Sequence, residues 1–171
     1  MLIIGGFNNN GDLATTELNN GTYHLHCNVP SYPIAVYLHS SSLTPSGVVT
    51  CGGHDETDSL RTCYKLTKTG NWVSFPSMKS KRYYFGMKMM NGKLWAIGGP
   101  GGGKYSMESI DPENQNEWTK QSLPFNVYGH CLTEFSSYQL IVTGGLQNGV
   151  SSRKGNESYS IFEQKFIFVS I

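Results

Sequence analysis

Four apolar runs that each end in a double glycine recur along the chain at nearly constant intervals. The runs read LIIGG, VVTCGG, LWAIGG and LIVTGG, and their glycines are Gly5 and Gly6, Gly52 and Gly53, Gly98 and Gly99, and Gly144 and Gly145. Successive first glycines are 47, 46 and 46 residues apart. A fixed period of this length is typical of an array of similar supersecondary units, so the repeat constrains the fold more than any single motif does.

The third unit shows the pattern of strands most clearly. The apolar run RYYFGMKMM at 82–90 is followed by Asn91-Gly92, the turn dipeptide typical of β-hairpins, and then by KLWAIGG. Further on, SMESI at 106–110 and EWTKQSL at 117–123 flank the turn sequence DPENQ. With 20 glycines and only 15% charged residues, the composition is also typical of short strands and tight turns. We predict an all-β protein in which each unit of about 46 residues forms four antiparallel strands, as in a propeller blade.

Aromatic and apolar residues keep the phase of the double glycines. Tyr64 and Ile110 follow the glycines by about a dozen positions, and Trp72 and Trp118 follow them by 20. This pattern resembles the kelch repeat, and the resemblance is strongest over residues 31–124. It implies β-propeller blades with interblade tryptophans and a role as a protein-binding platform. Kelch repeats are often attached to other domains, such as those that recruit ubiquitin ligases.

The repeats predict four blades of unequal completeness. Residues 1–30 form an incomplete first blade, residues 31–77 and 78–124 form the second and third, and residues 125–171 form an incomplete or atypical fourth. Complete kelch propellers generally have more blades, and an open ring exposes sheet edges. We therefore expect a propeller fragment whose ring closes with missing blades or by self-association. A purely structural piece of a larger propeller is an alternative function.

A phosphate-binding loop is an alternative interpretation of one segment. Gly98, Gly103 and Lys104 have the G-x-x-x-x-G-K spacing of such loops, but Tyr105 stands where they carry a serine or threonine that ligates magnesium. The residues that follow alternate as in a strand, whereas a phosphate loop opens onto a helix. The sequence therefore favours a repeat element over nucleotide binding.

A metal site is the second alternative. His24 and His26 would point to one face of a strand, with Cys27 on the other face, but no third ligand is identifiable nearby. A metal-dependent oxidase of the galactose oxidase type, which is built on kelch-like blades, would need a clustered set of Tyr, His and Cys ligands. No such set can be assigned, so we expect no metal, no cofactor and no catalysis.

Charge and cysteine content say little about partners or compartment. The 13 basic and 12 acidic residues leave a net charge of +1, and no run approaches the roughly 20 apolar residues of a membrane helix, so neither nucleic acid nor a membrane is an expected partner. The four cysteines, Cys27, Cys51, Cys63 and Cys131, have no C-x-x-C spacing. This pattern favours buried thiols in a reduced, cytoplasmic compartment. Disulfide bonds between these cysteines are the alternative.

The loops between the second and third strands of each unit are the best candidates for binding a protein or peptide, because blades hold such loops rigidly at one rim. These loops read FNNNGDLA, HDETDS, PGGGKYS and LQNGVSSRKGNE. Their predicted contact residues are Asp55, Glu56, Asp58, Lys104, Tyr105, Arg153 and Lys154. The resemblance to kelch ligand-binding arginines adds Arg61 and Arg82, which like Tyr128 fall near strand starts and would line the same rim or the central channel. An acidic patch beside a basic one would suit a charged peptide.

Overall fold

The structure is a computed structural model that describes residues 2–18, 29–136, 139–147, 150–151, 157–162 and 165–170. Every regular element in these ranges is a β-strand, which confirms the all-β prediction. Within the same ranges there is no helix of the length and apolarity that crossing a membrane would require.

Seventeen strands are described. In chain order they are β1 (Leu2–Asn8), β2 (Gly11–Leu18), β3 (Ser40–Thr44), β4 (Gly47–Cys51), β5 (Cys63–Thr67), β6 (Trp72–Phe75), β7 (Gly86–Met90), β8 (Lys93–Ile97), β9 (Ser106–Ile110), β10 (Thr119–Ser122), β11 (Val127–Tyr128), β12 (Cys131–Ser136), β13 (Gln139–Thr143), β14 (Leu146–Gln147), β15 (Val150–Ser151), β16 (Glu157–Phe162) and β17 (Lys165–Ser170).

Two of the sheets are complete four-stranded antiparallel meanders. The first, here called blade 2, has the order β3-β4-β5-β6, and the second, blade 3, has the order β7-β8-β9-β10. The remaining described strands pair as the hairpins β1–β2, β12–β13 and β16–β17 and as the small sheet β11-β14-β15. The two blades confirm the predicted repeat of four-stranded antiparallel units.

The hairpin between β7 and β8 turns at the predicted dipeptide. Asn91 and Gly92 have φ angles of 49° and 71°, as a type I′ turn requires at its two central residues. Strand β7 itself is shorter than the apolar run at 82–90, because the chain before Gly86 runs as a loop in which Tyr84 has a φ of 52°.

The hydrophobic core lies between neighbouring sheets. One cluster joins blade 2 to blade 3 and contains Val49, Phe75, Met78, Phe85, Leu94, Ile110 and Trp118. A second joins blade 3 to the strands that follow and contains Ile97, Met107, Phe125, Val127, Leu140 and Val142. A third joins the β1–β2 hairpin to blade 2 through Ile4, Tyr32 and Val36. Each unit thus buries its apolar side chains against its neighbours, as stacked repeats must.

The two tryptophans tie consecutive repeats together by equivalent hydrogen bonds. The indole N–H of Trp72 donates to the carbonyl of Pro30 at 3.0 Å, and that of Trp118 donates to the carbonyl of Pro76 at 2.8 Å. Each acceptor lies 42 residues before its donor. Trp118 is 1% exposed, so its indole fills the core while its one polar atom stays paired.

The first double glycine differs from the prediction. Gly5 and Gly6 lie inside β1 rather than at its end, and residues 7–14, which the sequence predicts as a loop, continue as a hairpin in which Phe7 pairs with Asp12. The register shifts between Ile4 and Gly6, and Gly5 has a φ of 58°. A bulge of this kind lets the strand bend at the glycines and then resume pairing, so the turn moves outward to residues 9 and 10.

Cys51 and Cys63 form a disulfide, so the preference for free thiols is wrong for this pair. The two residues are 12 positions apart and lie directly opposite each other on β4 and β5, with Cα atoms 4.1 Å apart. Cys131 is free and exposed, and Cys27 lies outside the described residues. The pairing register of β4 and β5, which sequence spacing alone does not reveal, brings the two thiols together.

Removing this disulfide should destabilise the protein. A loop of this length contributes roughly 3 kcal/mol through the restriction of the unfolded chain. We expect a Cys51→Ala, Cys63→Ala variant to lose about 2–3 kcal/mol in urea denaturation under non-reducing conditions. Adding a reductant should weaken the original protein by a similar amount and leave the variant unchanged. Equal stability of the two proteins without reductant would contradict the prediction.

Candidate functional site

The double glycines are the points where one repeat meets the next. In three of the four pairs, a Cβ on the first glycine would lie closer than 3.0 Å to a backbone carbonyl of the following repeat, and the second glycine donates its N–H to that same carbonyl. The pairs are Gly5 and Gly6 with Val36, Gly52 and Gly53 with Arg82, and Gly98 and Gly99 with Val127. These N–H···O distances are 2.8, 2.8 and 2.9 Å. Only glycine permits this approach, so the motif aligns the edges of successive units.

This alignment brings aromatic side chains from three repeats into one row, here called the aromatic band. Its members are Phe7, Tyr37, His54, Tyr83 and Tyr84. Successive ring centroids are 5.7, 5.5, 5.5 and 6.2 Å apart. The band ends in two well-exposed rings, since Phe7 is 67% and Tyr84 49% exposed. It is a continuous aromatic surface at the rim where the double glycines lie.

Sequence reasoning missed this band, although a signal for it is present. Phe7 and His54 each follow a double glycine directly, and Tyr37, Tyr83 and Tyr128 recur at intervals of 46 and 45 residues. Tyr37 and His54 belong to one repeat, while Phe7 and Tyr83 contact them from the preceding and following repeats. Their contact became visible only once the glycine junctions set neighbouring repeats side by side.

The acidic loop after His54 lies at the same rim. The carboxylate of Asp55 accepts the backbone N–H and the hydroxyl of Thr57, at 2.9 and 2.8 Å, and the backbone N–H of Asp58 at 2.9 Å. These donors, the Thr57 hydroxyl first, lower the pKa of Asp55. Asp58 forms an ion pair with Lys81, and that hydrogen bond lowers the pKa of Asp58. Glu56 is exposed at the loop's surface.

Arg82 is not a surface contact residue, which corrects the expectation for it. Its side chain is fully buried and forms an ion pair with Glu108 at 2.9 Å. The same guanidinium donates to the carbonyls of Gly98, Gly103 and Ser106 at 2.5, 3.0 and 2.9 Å. Burial lowers the pKa of Arg82, while the Glu108 carboxylate opposes that shift. Arg82 therefore holds the glycine loop of blade 3 from within.

The glycine-rich segment of blade 3 is a loop between two strands. It leads from β8 into β9, with no helix whose N-terminus could face a phosphate, which agrees with a repeat element rather than a nucleotide site. Lys104 and Tyr105 are both exposed, and the Lys104 ammonium lies 5.6 Å from the centre of the Tyr105 ring. A β-bridge between Lys81 and Gly102 places this loop beside the segment that carries Tyr83.

The other predicted contact residues are distributed as follows. Arg61 is exposed just before β5, and Tyr128 is half-buried on β11. Arg153 and Lys154 lie outside the described residues, so the basic part of the predicted charge pattern rests on Lys104. The structure thus brings Asp55, Glu56 and Asp58 together with the aromatic band.

The candidate metal ligands His24, His26 and Cys27 also lie outside the described residues. Among the residues that are described, no three His, Cys, Asp or Glu side chains cluster closely enough to hold a metal ion.

The described core of the chain consists of four-stranded antiparallel sheets joined through double glycines, an all-β architecture consistent with a fragment of a kelch-type β-propeller. The sequence is 33% identical over 100 residues to Kelch-like protein 8 of Mus musculus, in an alignment that covers 53% of this chain and 15% of that protein. The chain therefore spans only a small part of this relative's length. No family profile matches the sequence.

Proposed function

We propose that this chain is a protein-interaction module, in which kelch-type blades present the aromatic band and its flanking loops to a partner protein or peptide. The single observation that carries the proposal is the exposed aromatic surface built from three successive repeats. The similarity to a kelch-like protein supports an interaction role in general. The module would act without a catalytic step, and it could serve as the substrate-recognition part of a larger adaptor.

Aromatic side chains suit this role because they bury a large area on binding while few rotatable bonds become fixed. Residues of this type dominate the energetics of protein interfaces. Phe7 and Tyr84 are among the most exposed large apolar side chains of the described chain, and they stand at the two ends of one band. Isolated apolar residues on a surface need no explanation, but a contiguous row marks a contact site.

The backbone at Tyr84 has a conformation that recurs in the repeat. Leu38, Tyr84 and Gly129 stand at equivalent positions of three repeats, with φ angles of 57°, 52° and 65°. The N–H of Tyr84 donates to the carbonyl of Leu38 at 3.0 Å, and that of Gly129 donates to the carbonyl of Tyr84 at 2.7 Å. The positive φ is therefore a property of the repeat position, and what distinguishes Tyr84 is a large aromatic side chain that is exposed there.

The test compares partner capture by the original chain with capture by a Phe7→Ala, Tyr84→Ala variant. Both side chains are exposed, so the variant should fold. We expect it to capture none of the proteins that the original chain binds through the band. The control is Leu43→Ala, because Leu43 is 73% exposed but lies at the β3–β4 turn, at the other end of blade 2 from its double glycine. Capture that is equally reduced by the Leu43 change, or unaffected by the band variant, would contradict the proposal.

A further inference from the structure

We infer that the segment bound by the aromatic band carries a cationic side chain, lysine or arginine, which docks at the Phe7 end of the band. The inference rests on the proposed function and specifies the chemistry of the partner. It is argued from the charges that surround this end of the band and from the way aromatic rings and carboxylates together bind cations.

Asp12 supplies the first charge. It lies directly across the β1–β2 ladder from Phe7, and residues opposite each other on an antiparallel pair project to the same face. Asp12 is half-buried, and one of its carboxylate oxygens is buried without a hydrogen-bond partner among the described residues. A buried carboxylate oxygen without a donor is costly, and a cation bound beside this carboxylate would lower that cost through its charge.

The acidic loop of blade 2 supplies further negative charge. A Cβ on Gly11, the first residue of β2, would lie 3.6 Å from a carboxylate oxygen of Glu56, so Glu56 borders the hairpin that carries Phe7 and Asp12. Asp55 follows His54 directly, and the His54 ring hydrogen-bonds the Asp55 carbonyl.

Neighbouring cations neutralise only part of this charge. Asp58 is paired with Lys81, which leaves Asp12, Asp55 and Glu56 as the uncompensated carboxylates near this end among the described residues. The resulting potential is negative, and a partner of opposite sign is favoured both in encounter and in register.

Ring faces and carboxylates together discriminate in favour of cations. A lysine ammonium or an arginine guanidinium over an aromatic face gains about 0.5–1 kcal/mol at an exposed site, and an arginine can also pair with a carboxylate through two N–H groups. The chain already uses such packing internally, since Lys104 lies 5.6 Å from the ring centre of Tyr105 and Lys65 lies 6.0 Å from that of Phe75. An acidic segment would instead bring like charges together at Glu56 and Asp55.

The experiment selects random linear peptides displayed on phage with the full chain, and discards peptides that still bind the Phe7→Ala, Tyr84→Ala variant. We expect the remaining peptides to contain lysine or arginine. Replacing that residue with glutamine should lower the affinity, measured by fluorescence anisotropy, by about tenfold. With the Asp12→Asn, Glu56→Gln variant of the protein, replacing the peptide's lysine or arginine with glutamine should change the affinity little, because the carboxylates that the cation pairs with are gone. Glu17→Gln, on the same hairpin but at its opposite end, is the matched control.

The outcomes separate the two proposals. Band-dependent peptides that are neutral or acidic, and that bind the Asp12→Asn, Glu56→Gln variant as well as the original chain, would overturn the cationic partner and leave the interaction role standing. A selection that yields no band-dependent peptide at all would overturn both. A third outcome concerns the control. If an arginine-containing peptide bound the Glu17→Gln variant as weakly as it bound the Asp12→Asn, Glu56→Gln variant, a local charge contact would be contradicted.

Discussion

Replacing Glu108 with alanine is expected to destabilise the fold by about 3–5 kcal/mol, the cost of leaving a buried charge without its partner. The Glu108 carboxylate is fully buried, pairs with Arg82, and accepts the backbone N–H groups of Lys79 and Ser80 at 2.6 and 2.9 Å. The alanine variant would leave a buried guanidinium with only neutral acceptors, three backbone carbonyls and the Ser106 hydroxyl. Urea denaturation followed by tryptophan fluorescence measures the loss.

The chain offers two controls for this prediction. The pair between Lys79 and Glu117 lies on the surface, so Glu117→Ala should leave the free energy of unfolding nearly unchanged. An Arg82→Met, Glu108→Gln double variant should lose less than the sum of its two single changes, because neither then leaves an unpaired buried charge. A Glu108→Ala variant as stable as Glu117→Ala would show that the buried pair does not hold the glycine loop in place.

Lowering the pH from 6.5 to 5 is expected to destabilise the protein by roughly 3 kcal/mol, through His39 and His130. Burial lowers the pKa of both His39 and His130 to about 4. Neither ring nitrogen of His130 has a hydrogen-bond partner among the described residues. Between the ordinary histidine pKa of about 6.5 and the folded value, only the unfolded chain binds the proton. Stability is therefore complete above pH 6.5 and falls as the pH approaches 4.

Each histidine accounts for about half of this loss, because the dependence per group rises from about 0.7 kcal/mol per pH unit at pH 6.5 towards about 1.4 as the unfolded imidazole becomes protonated. The repeat supplies the matched substitution, because the residue between the two histidines in the repeat register is Phe85, which is buried in the core. A His130→Phe variant should therefore fold and lose about half of the pH dependence in urea denaturation at pH 6.5 and pH 5. An unchanged pH dependence in that variant would show that His130 does not titrate as its burial requires.

The sequence predicted the parts of the fold that depend on neighbouring residues. The Asn91-Gly92 turn and the strand Ser106–Ile110 follow from local backbone preference and from alternation along a single run. The repeat of double glycines revealed the period of the units without any contact being known. The prediction of a strand over the whole apolar run at 82–90 was wrong for its first half. That half lies at the junction between blades, where the chain turns at Tyr84 before β7 begins.

The candidate site was less accessible from sequence. The position of Asp55, Glu56 and Asp58 after a double glycine predicts their loop, but the resemblance to kelch ligand-binding arginines and a place near a strand start predict Arg82 at the rim or the central channel. Its burial depends on Glu108, which is 26 residues further along the chain and reaches Arg82 only after β9 pairs with β8. No local pattern distinguishes an arginine that will meet such a partner from one that will not.

By itself the sequence determined the all-β class, the period of about 46 residues, the four-stranded unit and the turn that closes its first hairpin, because each of these arises from contacts close along the chain. Only the tertiary structure decided which side chains from different units meet. The Cys51–Cys63 disulfide required the register of β4 against β5, and the aromatic band required the glycine junctions that bring Phe7, His54 and Tyr83 together. The physical reason is that glycine sets how closely two units approach, and that approach selects the non-local contacts from which the site is built.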